Sequence, residues 1–362
     1  MYKKRNMQLI CIILIVTMGF ITGCSNTSPS TTATTQVQTT SPSTTAITEV
    51  QTISKVDLVF GGGAMGGVYF TIGGAMKSIL EEKVPEINNV NVKVGSSSQF
   101  AFECQEGKVD LFLNTIDALY FAWSGAGRQG FKVDEKFDKL RLIAIGYTHI
   151  FDFVTLENSP MMTVKDIGEQ KIGCPSPTMV GPIEDILKAH GIPNPNVVMI
   201  SDYNQMNQAL KDGTLSAFVV AGPQPMPSLV ELATTTPVKL LTLDNAAVED
   251  ALKNGKESSF MQKMVVPAGA YTWLKEDYHT VGRAATLSGS ADLSEELVYA
   301  ITKTIYESND EMAKIHPQCR DFNLDTIKAS AEADVIKAPI HPGARRYFEE
   351  NGIVFSANIP NN

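Results

Sequence analysis

The run Gly61-Gly62-Gly63-Ala64-Met65-Gly66-Gly67 stands between a short apolar segment and a segment with helical spacing. Glycines at such a junction let backbone N–H groups approach a ligand, and the helix N-terminus behind them favours an anion. Gly61 to Gly66 spells GxGxxG. A dinucleotide site of that kind needs an acid at the tip of the next strand. That tip reads Val94-Gly95-Ser96-Ser97, without an acid, so a nicotinamide or flavin cofactor is not expected. A tight strand-to-helix turn without a ligand is the alternative. Gly95-Ser96-Ser97-Ser98 marks a second junction, where serines either cap a helix or offer hydroxyls to a carboxylate. Pro175-Ser176-Pro177-Thr178-Met179 marks a third. Asp117 follows a strand-like run and reads equally as a polar site residue or a helix cap. Arg128 is the arginine nearest that strand, either a carboxylate clamp or a solvated surface residue.

Signatures of catalysis fail in turn. GxSxG, HExxH and the phosphate-binding P-loop are missing, and His149, His190, His279, His316 and His341 form no pair with metal-ligand spacing. No enzyme, metal or cofactor is therefore expected. Cys104, Cys174 and Cys319 form no CxxC and read as small buried side chains.

The elements that position these residues alternate. Val56–Phe60, Val90–Val94 and Val109–Leu113 read as strands, with helices over Val68–Val84 and Ser97–Gln105. The order repeats: strands Lys171–Cys174, Val197–Ile200 and Ser216–Ala221, with a helix over Tyr203–Leu210. Glu106-Gly107 before one strand returns as Asp212-Gly213 before its counterpart, 106 residues on. Such alternation predicts parallel sheets flanked by helices, here in two similar α/β halves. Beyond Tyr271 the sequence shows helices over Leu293–Glu307 and Ile327–Ile336 and no clear strand. That last part is expected to pack back on the first half. The chain would then cross outward near Gly146–Phe151 and return near Met264–Ala270. Residues 55–147 with 265–362 would form one lobe, and 148–264 the other. A cleft between the carboxyl ends of such sheets is a ligand site.

The first residues read as a leader. Lys3, Lys4 and Arg5 precede the apolar Leu9–Ile21 run, which is short for a membrane span. Ile21-Thr22-Gly23-Cys24 resembles the bacterial lipoprotein processing box. The resemblance implies removal of residues 1–23 and lipidation of Cys24, so that the protein sits outside the cell membrane. Removing the three basic residues of the leader takes the net charge from −9 to −12. A chain this acidic is no nucleic-acid binder. Residues 24–54 are Ser/Thr-rich and read as a tether.

The body of the chain resembles the TAXI-type solute receptors of TRAP transporters. The marks are Gly66-Gly67-Val68-Tyr69-Phe70, Gly95-Ser96-Ser97, Asp212-Gly213-Thr214 leading to Gly222-Pro223, Gly269-Ala270-Tyr271 and His341-Pro342-Gly343-Ala344-Arg345-Arg346-Tyr347. The resemblance implies a periplasmic-binding-protein-like fold of the type II kind, two α/β lobes around a central cleft with a multi-crossing hinge. It also implies capture of a small organic anion, glutamate or another carboxylate, and delivery to a TRAP membrane permease. On that reading Gly66 and Gly67 give backbone approach. Tyr69, Ser96, Ser97 and Ser98 supply hydroxyls, and Thr115 and Asp117 line the first-lobe wall. Ser176, Thr178 and Met179 close from the second lobe beside Gly222, and Tyr271 covers the site. A ligand-binding surface sensor of the same fold is the other reading. Two positions depart from the family pattern. Phe100 stands where an Asn is usual, and Ser176-Pro177-Thr178-Met179 stands where the family has Gly-Ser-Gly-Thr. Both changes remove donors and alter the ligand pose.

Overall fold

The computed structural model describes residues 55–63, 65 and 67–360. The leader, the tether, Cys24 and Gly66 lie outside the described residues. Strands and helices first alternate: β1 (Val56–Gly61), α1 (Val68–Lys83), β2 (Ile87–Lys93), α2 (Ser97–Gln105), β3 (Leu111–Thr115) and α3 (Ile116–Ser124). The long β4 (Leu140–Leu156) follows. The second set is β5 (Lys171–Cys174), α4 (Pro177–Ala189), β6 (Asn196–Met199), α5 (Tyr203–Lys211), β7 (Ala217–Gly222), α6 (Pro227–Thr235), β8 (Val238–Leu240) and α7 (Asn245–Asn254). Then come β9 (Gln262–Val266), β10 (Tyr278–Ser290), α8 (Glu295–Glu307), α9 (Asn309–Met312), α10 (Leu324–Glu332) and α11 (Pro342–Glu350). Among the described residues no helix is long and apolar enough to cross a membrane.

The strands form one sheet in the order β2-β1-β3-β10-β4-β7-β5-β6. Read from either edge, three strands are parallel to one another: β1 to β2 and β3, β5 to β6 and β7. Each set meets a long antiparallel strand, β10 beside β3 and β4 beside β7. The echo in the sequence is thus an echo in topology. α2 and α5 both end at a glycine in the left-handed region, Gly107 at φ 72° and Gly213 at φ 70°, where L side chains are strained. Both helices are also capped from one residue before them. Ser96 accepts from the Gln99 amide and Asp202 from the Gln205 amide.

β4 has 17 residues, which span roughly 55 Å at the usual strand rise. Its first part pairs with β10 and its end with β7 and β8. β10 carries the chain back, pairing with β9 at its start and with β3 at its end. This corrects two expectations. A 13-residue strand does follow Tyr271, and the return runs along it rather than through Met264–Ala270, which holds part of the edge strand β9 and a turn. The reason is composition. β10 reads Tyr-His-Thr-Val-Gly-Arg-Ala-Ala-Thr-Leu-Ser-Gly-Ser, with small and polar residues where β-branched ones are usual. It is buried nearly throughout because it lies mid-sheet under helices, not because its own side chains demand it.

Separate apolar cores sit on either side of the crossing. One gathers Phe60, Met76, Leu113, Leu142, Leu287 and Ile301. Beyond it lie Phe151, Phe153, Ile172, Ile183 and Val219, and a third group around Phe218 and Tyr278. Cys104, Cys174 and Cys319 are free thiols inside these cores, as expected of small buried side chains. Gly282 sits where β10 passes β4. A Cβ there would lie 2.9 Å from the His149 carbonyl oxygen and 2.5 Å from Thr148 Cγ2. Gly74, inside α1, has open space on the same test. Gly282→Ala should therefore destabilise by about 1–3 kcal/mol through overpacking. Gly74→Ala should stabilise by about 0.5–1 kcal/mol through the helix backbone. Urea unfolding midpoints of the two variants check both signs.

Candidate functional site

β3 runs into α3 without a loop, which puts Asp117 in the first turn of that helix, where a carboxylate complements the helix dipole. Across the sheet, Arg283 of β10 is paired with His149 of β4, so both side chains leave the same face. α4 begins after Ser176, whose hydroxyl accepts from the Thr178 amide at 3.3 Å. These junctions bring one charged group to the centre. Arg283 is 4% exposed and forms an ion pair with Asp117, which is fully buried. It also donates to the Thr178 carbonyl at 2.9 Å and the Thr178 hydroxyl at 3.1 Å. The guanidinium thus ties helix α3 to helix α4, whose apolar residues belong to different cores.

The loop between α3 and β4 adds a second tie. Gln129 adopts φ 56° between Gly127 and Gly130, a conformation that costs about 1–3 kcal/mol for a non-glycine residue unless its surroundings hold it. Its amide donates to Asp117 at 2.7 Å and to Glu257 at 3.3 Å. Because both partners are acceptors, the orientation of the amide is determined. Arg128 pairs with the same Glu257 at 3.1 Å, so it is tied by an ion pair although its side chain stays 36% exposed. Burial pushes the Glu257 carboxyl up despite these donors. Gly181 of α4 makes room for it, since a Cβ there would fall 2.1 Å from its carboxyl carbon.

Beside this network, the Tyr69 hydroxyl donates to the Asn114 carbonyl at 2.7 Å and lies 3.0 Å from His149 Nε2. Burial, reinforced by Arg283, pushes the His149 imidazole down to about 3, so it is neutral at physiological pH. Burial also raises the Tyr69 phenol. Three buried atoms of the network have no hydrogen-bond partner: Arg283 Nε, Asp117 Oδ1 and Gln129 Oε1.

Of the residues expected from sequence, Tyr69, Asp117, Ser176 and Thr178 come together here; Gly67 caps α1, the helix that carries Tyr69. Thr115 is the N-cap of α3, without a side-chain bond to it. Ser97 spends its hydroxyl on the Leu113 carbonyl at 2.9 Å, Ser96 caps α2, and Ser98 is half-buried in the first turn of that helix. Met179 is packed in the second-lobe core, and Gly222 lies against Met226. Tyr271 is not brought to the network. It is buried on the other face of β4, where its hydroxyl bonds Asp152 at 2.5 Å and also Gln224, and it stacks on Trp273. Arg283, His149, Gln129 and Glu257 escaped the sequence reading. One charge inside a run of small apolar residues was the available signal for Arg283. Among the described residues no group of His, Cys, Asp and Glu is arranged to hold a metal.

The reverse face carries a cavity of about 500 Å³ lined by Thr148, Ile150, Gln224, Gln262 and Asn323, and a second of about 620 Å³ lies against Arg128, Gly181, Glu184, Asp185 and Lys188.

Comparison with known proteins gives a family. The model of the NMT1-like family matches residues 60–352. Among solved structures, the chain is similar to the periplasmic aliphatic sulphonate binding protein SsuA from Escherichia coli, with 14% identity, TM-score 0.47, and 81% of this chain and 78% of that one covered. It is similar to MatC from Rhodopseudomonas palustris with bound malate, with 12% identity, TM-score 0.46, and coverage of 82% and 98%. It is also similar to XAC2383 from Xanthomonas citri bound to ATP, with 7% identity, TM-score 0.49, and coverage of 81% and 98%.

Two outcomes follow from the buried charges. Arg283→Met leaves Asp117 buried without its cation and should cost about 3–5 kcal/mol, whereas Arg283→Met with Asp117→Leu should recover most of that loss. Urea unfolding of the single and double variants measures the difference. On the reverse face, burial holds the Asp152 carboxyl up at about 7, against about 3.9 in an unfolded chain. The folded state therefore keeps a proton that the unfolded state releases. This contribution is fully present below about pH 4 and is lost as pH rises toward 7. Asp152→Asn should raise the melting temperature at pH 8 and leave it nearly unchanged at pH 4, as a melting series across pH would record.

Proposed function

Since the chain belongs to the NMT1-like family, we propose that it is the extracytoplasmic solute receptor of a membrane transporter, taking a small carboxylate-bearing solute between its lobes. The observation that carries this reading is the state of Arg283. Of its five N–H donors, two on Nη1 and one on Nη2 are engaged by Asp117 and Thr178. The Nε–H, buried and unpartnered, and one Nη2 proton remain. They belong to the edge of a guanidinium that grips a carboxylate with two parallel bonds. To the site that this edge serves we assign Tyr69, Asp117, Ser176 and Thr178, the polar side chains of the same network.

A ligand held from both lobes favours the closed arrangement and leaves when the lobes part. The resemblance to TAXI receptors supports a TRAP-type permease as the acceptor of the solute. Lipidation at Cys24 and the Ser/Thr-rich tether would keep the receptor at the membrane surface, in reach of that permease.

The purified full-length protein, melted against a panel of small carboxylates, amino acids and neutral solutes, tests the reading. A ligand at 100 times its Kd should add about 2.7 kcal/mol and raise the melting temperature. Arg283→Lys, which keeps the charge and loses the fork, should abolish that rise for a carboxylate hit. A rise only with solutes that carry no carboxylate would overturn this assignment.

A further inference from the structure

The cations around Arg283 are all countered before any ligand arrives. Arg283 faces Asp117, and Arg128 faces Glu257. A third carboxylate, Asp185, accepts the Glu257 and Ser258 amides at 2.7 and 3.1 Å. The nearby Lys188 is taken by Glu184 at 2.9 Å. His149 adds no positive charge, because burial keeps it neutral. The cluster therefore offers a ligand no uncompensated cation. The unpartnered atoms say the same in hydrogen bonds. Two are acceptors, Asp117 Oδ1 and Gln129 Oε1, and one is a donor, Arg283 Nε. A dicarboxylate has only acceptors to offer and would leave those two oxygens facing more oxygen. An ammonium carries three donors and a positive charge.

Resting on the receptor reading above, we propose that the solute is a net-neutral zwitterion of the α-amino-acid type. Its carboxylate takes the open edge of Arg283 and its ammonium takes Asp117 Oδ1 and Gln129 Oε1. Asp117 is then the residue that sets the charge of the ligand. It holds the arginine in place and prevents that arginine from rewarding a second negative charge. From the turn between Gly127 and Gly130, at φ 56°, the Gln129 amide reaches both acids.

Titration calorimetry on the full-length protein provides the test. The probes are neutral L-amino acids, each matched with the carboxylate that lacks its amino group, together with succinate and malate. The wild type should bind its best amino acid at least about tenfold more tightly than the matched carboxylate or either dicarboxylate. Asp117→Asn should reverse that order, weakening the amino acid and strengthening the carboxylates. Should that variant fail to fold, Gln129→Met removes the second acceptor with both charges kept, and it should weaken the amino acid while leaving the carboxylates alone. Preference of the wild type for a dicarboxylate overturns this inference and leaves the receptor reading standing, as does equal weakening of every probe by the folded variants. Silence across all probes overturns the receptor reading and this inference with it.

Discussion

A guanidinium withdrawn from water is the constraint around which the crossing of the chain is arranged. Arg283 projects from β10 where that strand lies beside β4, and a buried charge of this kind is tolerated only when a countercharge is close. Asp117 supplies the countercharge from one side, and Thr178 supplies two oxygens from the other. The ion pair therefore does more than balance a charge. It makes the start of α3 and the start of α4 depend on each other, although the two helices belong to different cores. The Phe151 ring lies 5.7 Å away against the face of the guanidinium.

The two long strands make this economical. A single sheet runs through the crossing, where the ladder between β4 and β10 shifts register between Ala284 and Thr286 and again between Leu287 and Ser288. The residues of β4 and β10 near the crossing include the small Gly282, Ala284 and Thr148. The faces of these strands divide the labour. His149 and Arg283 look toward the polar network, while Asp152 lies behind it in a buried hydrogen bond with the Tyr271 hydroxyl. Alternation along one strand thus separates a recognition surface from a structural one by a single residue step.

The repeated half explains how such a site arises from unremarkable parts. Each half ends its central strands at a helix N-terminus, and the halves meet through antiparallel long strands, so their carboxyl ends face one another. Helix caps and short polar side chains are needed at such junctions for local reasons. Brought face to face, some of them are spent locally, as Ser96 and Ser97 are, and some remain for the centre, as Asp117 and Thr178 do.

Local chemistry was legible in the sequence. Helical spacing marked α1 and α2, the Gly107 and Gly213 stops marked where β3 and β7 must begin, and their 106-residue offset announced two like halves. Each of these rests on interactions between residues near in the chain. Arg283 and Glu257 were not legible, because their meaning lies in partners 166 and 129 residues away, Asp117 and Arg128. β10 was missed for the same reason, since its place in the middle of the sheet, and not its composition, makes it a strand. Tyr271 was misread because nothing in a linear order tells which face of a strand a distant side chain will join. Periodicity and caps are properties of the chain; the countercharge for a buried arginine is a property of the fold, because only packing decides which charge is left to meet it.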